Sequence, residues 1–208
     1  MQQKIRTLVM TMVGIAGIAV VLGCSSGNGV IRKEGEPPVT HSAVIKTSMG
    51  DIEVELYGED APKTVANFVG LADKKFYDGI LFHRVVPGFV IQAGDPKTKN
   101  EALKGEWGTG GESIYNGRFA DELNPATVSY KRGYAEGVLA MANAGPNTNT
   151  SQFFIMLADN TTLPKNYTIF GRVTKGLDIV HKIEGVDLGE NSQPKVPVKI
   201  LSVKTHKY

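Results

Sequence analysis

Residues 82–95, with the sequence FHRVVPGFVIQAGD, constrain this chain more than any other segment. Arg84 lies beside Val85-Val86, and because β-branched residues favour strands, we expect Arg84 on a strand. Residues 139–154, LAMANAGPNTNTSQFF, are a companion segment, and together the two supply one Arg, two Gln, several Phe and a set of Gly/Asn turns. They contain no nucleophile–base pair and no metal-ligand spacing. One fixed cation, amide side chains and aromatic walls suit the binding of a neutral peptide.

The remaining pattern predicts a mainly β fold. Residues 51–56 alternate apolar with acidic side chains, which indicates a strand with one buried face. Asp60 is placed to cap a helix that has Pro62 in its first turn, and a second short helix is predicted over residues 177–183. The last strand is predicted over residues 196–203. Many short strands, Gly-rich turns and only two helices indicate a closed β-barrel with helical caps.

The N-terminus has the pattern of an export signal. Lys4 and Arg6 precede residues 8–22, an apolar run that is short for a membrane span and typical of a signal peptide. The run ends in VLGC, residues 21–24, which resembles the lipobox of bacterial lipoproteins. That resemblance implies that Cys24 is lipidated, with palmitate among its acyl chains, and becomes the first mature residue. A free cysteine after an apolar run and an uncleaved membrane anchor are the alternatives.

Three parts are therefore expected: a signal peptide over residues 1–23, a flexible tether over residues 24–42 and a domain over residues 43–208. Lipidation and an uncleaved anchor both place the domain outside the cytoplasm. It would lie at the outer membrane or the periplasmic face if the envelope has an outer membrane, and otherwise on the outer face of the cell membrane. Cys24 is the only cysteine of the sequence, so no disulfide can form within the chain.

Charge gives no reason to expect nucleic acid as a partner. The sequence has 23 Lys and Arg against 21 Asp and Glu, and two of the basic residues lie in the predicted signal peptide. The mature protein is therefore neutral, without the basic excess that phosphate backbones attract.

The two segments described first resemble the signature blocks of the cyclophilin family of peptidyl-prolyl cis–trans isomerases, and the resemblance extends over about residues 43–208. It implies a closed antiparallel eight-stranded β-barrel capped by two helices, and an enzyme that accelerates X–Pro isomerisation. Its partners would be proline-containing peptides and, given the export signal, unfolded exported proteins whose folding it assists. We expect a monomer that needs no cofactor and no metal.

The family's site residues can be carried over position by position. Arg84 matches the Arg of the FHR motif and would be catalytic. The resemblance implies substrate contacts for ten further residues: Phe89, Val90, Gln92, Ala142, Asn143, Ala144, Gln152, Phe154, Leu163 and Tyr167. In that assignment Phe89 and Phe154 wall the proline pocket and Leu163 closes one side. Gln92 would hold Arg84 and hydrogen-bond the substrate backbone, and Asn143 would offer its main chain.

A guanidinium in such a site has a definite use. Uncatalysed X–Pro isomerisation has a barrier of about 20 kcal/mol, because amide resonance is lost as the C–N bond twists. The prolyl nitrogen then gains a lone pair, so a donor aimed at it binds the twisted state better than either planar state. Arg84 stays charged and presents several N–H groups, which suits non-covalent catalysis.

Other classes of function have less support. A hydrolase would need His83 with Asp95 and Ser151, but the G-x-S-x-G nucleophile elbow is missing, and we expect His83 to be a packed structural histidine. The GTGG stretch at residues 108–111 lacks the Lys-Ser/Thr of a phosphate-binding loop, and the resemblance places it at the pocket rim. A non-catalytic peptide-binding module would be favoured by a substituted arginine, which this chain does not have.

Two departures from the family pattern stand out. Residues 96–107 form a longer, charged loop that carries Trp107, and the sequence does not define its role. Thr162 stands where many eukaryotic members have Trp, and Tyr167 stands where they have His. We therefore expect weak sensitivity to the cyclosporin-type inhibitor, with catalysis intact.

Overall fold

The computed structural model describes residues 30–208. The predicted signal peptide and Cys24 lie outside this range, as does the first part of the predicted tether. Within residues 30–208 no helix has both the length and the apolar composition needed to cross a membrane.

Eight strands form one antiparallel sheet, which confirms the mainly β prediction. The strands in chain order are β1 (His41–Thr47), β2 (Gly50–Leu56), β3 (Arg84–Val86), β4 (Val90–Ala93), β5 (Val138–Met141), β6 (Phe153–Met156), β7 (Ile169–Lys175) and β8 (Ile200–Lys207). Their order in the sheet is β3-β4-β6-β5-β7-β2-β1-β8, and every neighbouring pair is antiparallel. Each strand is short, as the frequent glycines predict.

The structure does not show the predicted closed barrel: the sheet forms a half-barrel that is open between its edge strands β3 and β8. The edges approach each other only through residues 79–82, which precede β3: Phe82 N–H donates to Val198 O at 2.9 Å, and Ile200 N–H donates to Ile80 O at 2.8 Å. A continuous ladder does not form, since β3 has three residues and Pro197, which precedes β8, has no N–H to donate. β8 begins at Ile200, four residues later than predicted.

Both predicted helices are present, as α1 (Pro62–Asp73) and α3 (Leu177–Glu184), and a third, α2 (Val128–Arg132), was not predicted. Asp60 does not cap α1; its carboxylate accepts from Ser129 N–H at the start of α2. The first N–H groups of α1 are satisfied from a distant loop, where Glu122 accepts from Lys63 N–H at 3.0 Å and from Thr64 N–H at 2.9 Å.

The curved sheet separates two apolar clusters. The larger lies inside, where the ring of Phe68 contacts the rings of Phe153 and Phe170. The smaller lies on the opposite face of β4, β5 and β6 and includes Phe154. Phe153 and Phe154 therefore face opposite sides of β6, as predicted from strand periodicity, and the second cluster forms the floor of the site.

Residues 30–39, which we expected to be part of the flexible tether, are packed against the domain. Ile31 and Val39 pair in an isolated antiparallel bridge, and Val39 is buried. The guanidinium of Arg132, at the end of α2, donates to both carboxylate oxygens of Glu36 and to Gly35 O. Local sequence propensity could not predict this contact, because Arg132 lies almost a hundred residues after Glu36 in the sequence.

Candidate active site

The β3–β4 hairpin sets Arg84 and Gln92 side by side. The two residues are cross-strand partners, so their side chains emerge on the same face of the sheet. The hairpin turns at Pro87-Gly88, where Gly88 has φ = +71°, a conformation that glycine adopts without steric penalty. Phe89 follows immediately, and its N–H donates to Val86 O at 2.9 Å, which closes the turn.

A chain of amide groups orients Arg84. Its Nη1 donates to Gln92 Oε1 at 3.2 Å, and Gln92 Nε2 donates to Gln152 Oε1 at 2.9 Å. Gln152 Nε2 in turn donates to the carbonyl oxygens of Gly108 and Gly110 at 3.0 and 2.6 Å. Each amide fixes the orientation of the next, so Gln92 presents its carbonyl oxygen to the guanidinium.

Asp95 anchors the loop that contains Gly108 and Gly110, the residues to which Gln152 donates. It is fully buried, and its carboxylate accepts from Gly108 N–H at 2.6 Å, Gly110 N–H at 3.0 Å and Lys97 N–H at 2.8 Å. The longer loop that precedes these glycines folds as two short 3₁₀ helices, Pro96–Lys99 and Glu101–Glu106. The backbone carbonyls of Gly108 and Gly110, which accept from Gln152, are therefore held in place because the N–H groups of the same two residues donate to Asp95.

Arg84 lines a cavity of about 180 Å³, the proline-sized cavity, whose walls are mostly apolar side chains. Phe154 and Tyr167 meet edge to face there, with ring centroids 5.6 Å apart. The structure brings nine of the eleven predicted site residues to this one cavity: Arg84, Phe89, Val90, Gln92, Ala142, Asn143, Phe154, Leu163 and Tyr167. A cavity with apolar walls and one cation at its edge can enclose a small ring and place an N–H donor beside it.

The other two predicted residues, Ala144 and Gln152, line an adjoining cavity of about 480 Å³. The GTGG stretch forms one of its sides, as predicted, and Gln92 borders both cavities. Sequence reasoning missed four residues of this wall: Gly117, Arg118, Thr148 and Thr150. They lie in irregular loops, so no periodicity marked them.

Asn143 separates the two cavities and leaves its main chain available. Its side chain is used internally, since Nδ2 donates to Asn166 O at 2.9 Å and Oδ1 accepts from Gly145 N–H at 3.3 Å. Among residues 30–208, its own backbone N–H and C=O make no hydrogen bond. An extended peptide could therefore pair with them as with a strand edge.

The arrangement does not support hydrolysis. His83 is buried, and neither ring nitrogen has a hydrogen-bond partner in the part of the chain that the structure describes. Burial lowers its pKa, so the ring is held neutral. Ser151 Oγ donates to Gly94 O at 2.6 Å, so its proton is committed to the backbone and not to a histidine. His83 is a packed structural residue, as predicted.

Thr162 is exposed and does not line the proline-sized cavity. Its N–H and its hydroxyl both bond to Asn160 Oδ1, at 3.1 and 3.0 Å. The same oxygen accepts from Leu163 N–H at 2.8 Å, which turns the Leu163 side chain to the cavity. Across residues 30–208, no three His, Cys, Asp or Glu side chains come close enough to hold a metal ion.

Comparison with known proteins gives a consistent result. A family model described as cyclophilin type peptidyl-prolyl cis-trans isomerase/CLD matches residues 42–205. The chain is 42% identical over 173 residues to peptidyl-prolyl cis-trans isomerase CYP18-2 of Arabidopsis thaliana, covering 83% of this chain and 96% of that protein. It is 46% identical over 157 residues to peptidyl-prolyl cis-trans isomerase ppi1 of Schizosaccharomyces pombe, covering 76% of this chain and 94% of that protein.

Solved structures agree with the sequence matches. The cyclophilin type peptidyl-prolyl cis-trans isomerase of Cryptosporidium parvum, crystallised in the presence of the dipeptide Ala-Pro, matches with a TM-score of 0.71 at 34% identity. That match covers 80% of this chain and 99% of that chain.

Proposed function

The chain belongs to the cyclophilin-type peptidyl-prolyl cis-trans isomerase family and has that activity, and from this premise we propose which residues carry the reaction and where the protein works. The observation that supports the assignment is the position of Arg84. Arg84 lines the proline-sized cavity, and its guanidinium is held by the hydrogen bond to Gln92.

In the proposed mechanism Arg84 donates an N–H to the prolyl nitrogen as the amide twists. The planar amide offers no lone pair there, so the hydrogen bond strengthens only in the twisted state and lowers the barrier. No bond between heavy atoms is made or broken. The guanidinium cannot lose its proton at physiological pH, so the donor is present throughout the turnover.

The cavity walls supply binding and orientation. Phe89, Phe154 and Leu163 enclose the pyrrolidine ring, together with Val90 and Tyr167, which line the same cavity. Asn143 pairs with the substrate backbone, and Ala142 and Ala144 let that backbone approach because their side chains are small. Gln92 and Gln152 keep Arg84 in position, so the twisting bond lies against a fixed donor.

We further propose that the protein is a monomeric, extracytoplasmic lipoprotein that acts on unfolded exported proteins. The support is the sequence alone: a short basic segment, an apolar run over residues 8–22 and the VLGC ending at Cys24. In this proposal residues 1–23 are removed and the lipid on Cys24 holds the domain at the membrane. A non-catalytic chaperone with the same pocket is not favoured, since Arg84 is present and held by Gln92.

The test is turnover of an X–Pro peptide by a soluble form that lacks residues 1–24. Arg84→Ala should lower kcat/KM by two to three orders of magnitude, about 3–4 kcal/mol. Arg84→Lys should also be poor, because a flexible point charge replaces a planar fork of donors. A folded Arg84→Ala variant with the wild-type kcat/KM would rule out this mechanism.

A further inference from the structure

His181, on α3, bridges two carboxylates from different parts of the chain. Its Nδ1 lies 2.7 Å from Glu184 Oε2 on the same helix, and its Nε2 lies 3.0 Å from Glu136 Oε1 in the turn that precedes β5. All three side chains are partly exposed, so the cluster is in contact with solvent.

Both contacts can be hydrogen bonds only when the ring is protonated. An imidazolium has two N–H donors, whereas a neutral imidazole has one donor and one lone pair. A lone pair that faces a carboxylate oxygen is repelled, so the neutral ring must release one of the two acids.

The two carboxylates also set the titration range of the ring. The hydrogen bond to Glu184, and then that to Glu136, raise the pKa of His181 above its ordinary value. The charged side chains in contact with the ring are Glu184 on α3 and Glu136 in the turn before β5. The β3–β4 turn contributes only a backbone N–H, that of Gly88, to Glu184.

The cluster is joined to one wall of the proline-sized cavity and to the apolar cluster of which that wall is part. Glu184 Oε1 accepts from Gly88 N–H at 2.7 Å, and Gly88 immediately precedes Phe89 in the β3–β4 turn. Glu136 follows Ala135, which packs in the same apolar cluster as Phe89 and Phe154. A single ring thus connects the turn that holds Phe89, a residue of the cavity wall, to the turn before β5, whose Ala135 packs against the same apolar cluster.

We propose that His181 is a pH-sensitive positioning residue: as an imidazolium it ties the turn before β5 to Glu184 and so to the turn that holds Phe89, and this link strengthens peptide binding. The inference rests on the proposed proline pocket. The link is complete below the ordinary pKa of histidine, while the two glutamates remain ionised, and is lost as the pH rises through the raised pKa of the ring.

The expected effect on the wild type is a change in KM with little change in kcat. From about pH 6 to about pH 9, KM for an X–Pro peptide should rise about two- to fivefold, the range that an exposed ion pair can supply. In the same pH range the Gly88 amide resonance should shift with the pKa of the His181 ring, because the two groups share Glu184. The shared titration reports the link itself, and the change in KM without a change in kcat distinguishes positioning from a merely structural role.

Two variants separate the link from general stability. In Glu136→Gln the amide can donate to the neutral ring or accept from the charged one, so the link persists at every pH. KM should then stay low across the range. In His181→Ala the link is absent, and KM should equal the high-pH value of the wild type at every pH. His206→Ala, at an exposed histidine on β8, is the matched control and should keep the wild-type profile.

The outcomes distinguish this inference from the proposed function. A flat wild-type KM profile together with normal turnover would overturn the role of His181 and leave the catalytic assignment in place. A Glu136→Gln variant with the full wild-type pH dependence would overturn it as well. If the wild type had no turnover at any pH, the proposed function would fail, and a Gly88 resonance that does not titrate with His181 would still reject the link.

Discussion

In the proposed mechanism Arg84 depends on side chains that do not touch the twisting peptide bond. Gln152 makes no contact with Arg84 and influences it only through Gln92. An arginine without such support samples many rotamers, and each one that points away from the prolyl nitrogen contributes nothing to the barrier.

The Gln152→Ala variant should therefore lose activity without losing the site. Removing the hydrogen bonds to Gln92, Gly108 and Gly110 should lower kcat/KM about tenfold, since each such bond contributes about 1 kcal/mol. The measurement is kcat/KM for turnover of an X–Pro peptide. Gln193→Ala is the matched control, because the Gln193 side chain makes no hydrogen bond within residues 30–208. Equal turnover by both variants would show that the chain of amides does not support Arg84.

Thr162 should determine the response to the cyclosporin-type inhibitor. Thr162 is exposed and bonded to Asn160, so it offers little apolar area and no free donor. In relatives with Trp at this position, the indole supplies a large apolar face and one N–H. Thr162→Trp should therefore tighten inhibition by 2–4 kcal/mol, about 30- to 1000-fold, while turnover of short peptides changes much less. The measurement is an inhibition titration of the wild type beside Thr162→Trp. Tight inhibition of the wild type would show that the role assigned to Thr162 is wrong.

The site was more predictable from the sequence than the elements around it. The motif at residues 82–95 and its companion are local, so Arg84, Gln92 and Phe154 could be assigned from adjacent residues. α2 could not, because five residues have no helical period to detect. The capping of α1 by Glu122 and the contacts of the arm at residues 30–39 depend on partners that are distant in sequence.

The arm at residues 30–39 adds a small amount of stability through Glu36. Its carboxylate pairs with Arg132 and with Arg172, and the hydrogen bonds from Arg132 lower its pKa. Both arginines are more than a third exposed, so solvent screening keeps the gain small. Glu36→Gln should lower the free energy of unfolding by about 0.5–1 kcal/mol near neutral pH.

The sign of the pH dependence follows from the lowered pKa. The contribution of Glu36 is present above the pKa of the unfolded state and is lost as the pH falls through that of the folded state. Urea unfolding of Glu36→Gln and of wild type should therefore converge in acid. Glu34→Gln, on the same arm, is the control, since Glu34 has no ion pair within the described residues. An equal loss in both variants would mean that the arm is not held by this pair.

In the proposed lipoprotein, the attachment of the whole molecule to a membrane depends on Cys24. If it is lipidated, the wild type should partition with membranes, and mass spectrometry should show a blocked, acylated N-terminus at Cys24. Cys24→Ser should prevent both acylation and the associated cleavage, which leaves the apolar segment attached. An unmodified Cys24 with Met1 still present would indicate a simple membrane anchor and contradict the lipoprotein assignment.

If Arg84 stabilises the twisted amide and does not merely bind the planar peptide, its removal should lower the isomerisation rate much more than the affinity. One experiment can measure both quantities. Exchange NMR on an X–Pro peptide gives the cis–trans interconversion rate on the enzyme and, by titration, the Kd. For Arg84→Ala we expect the rate to fall about 100- to 1000-fold while Kd changes by no more than about threefold. An unchanged rate, or a loss of rate matched by an equal loss of affinity, would contradict the account.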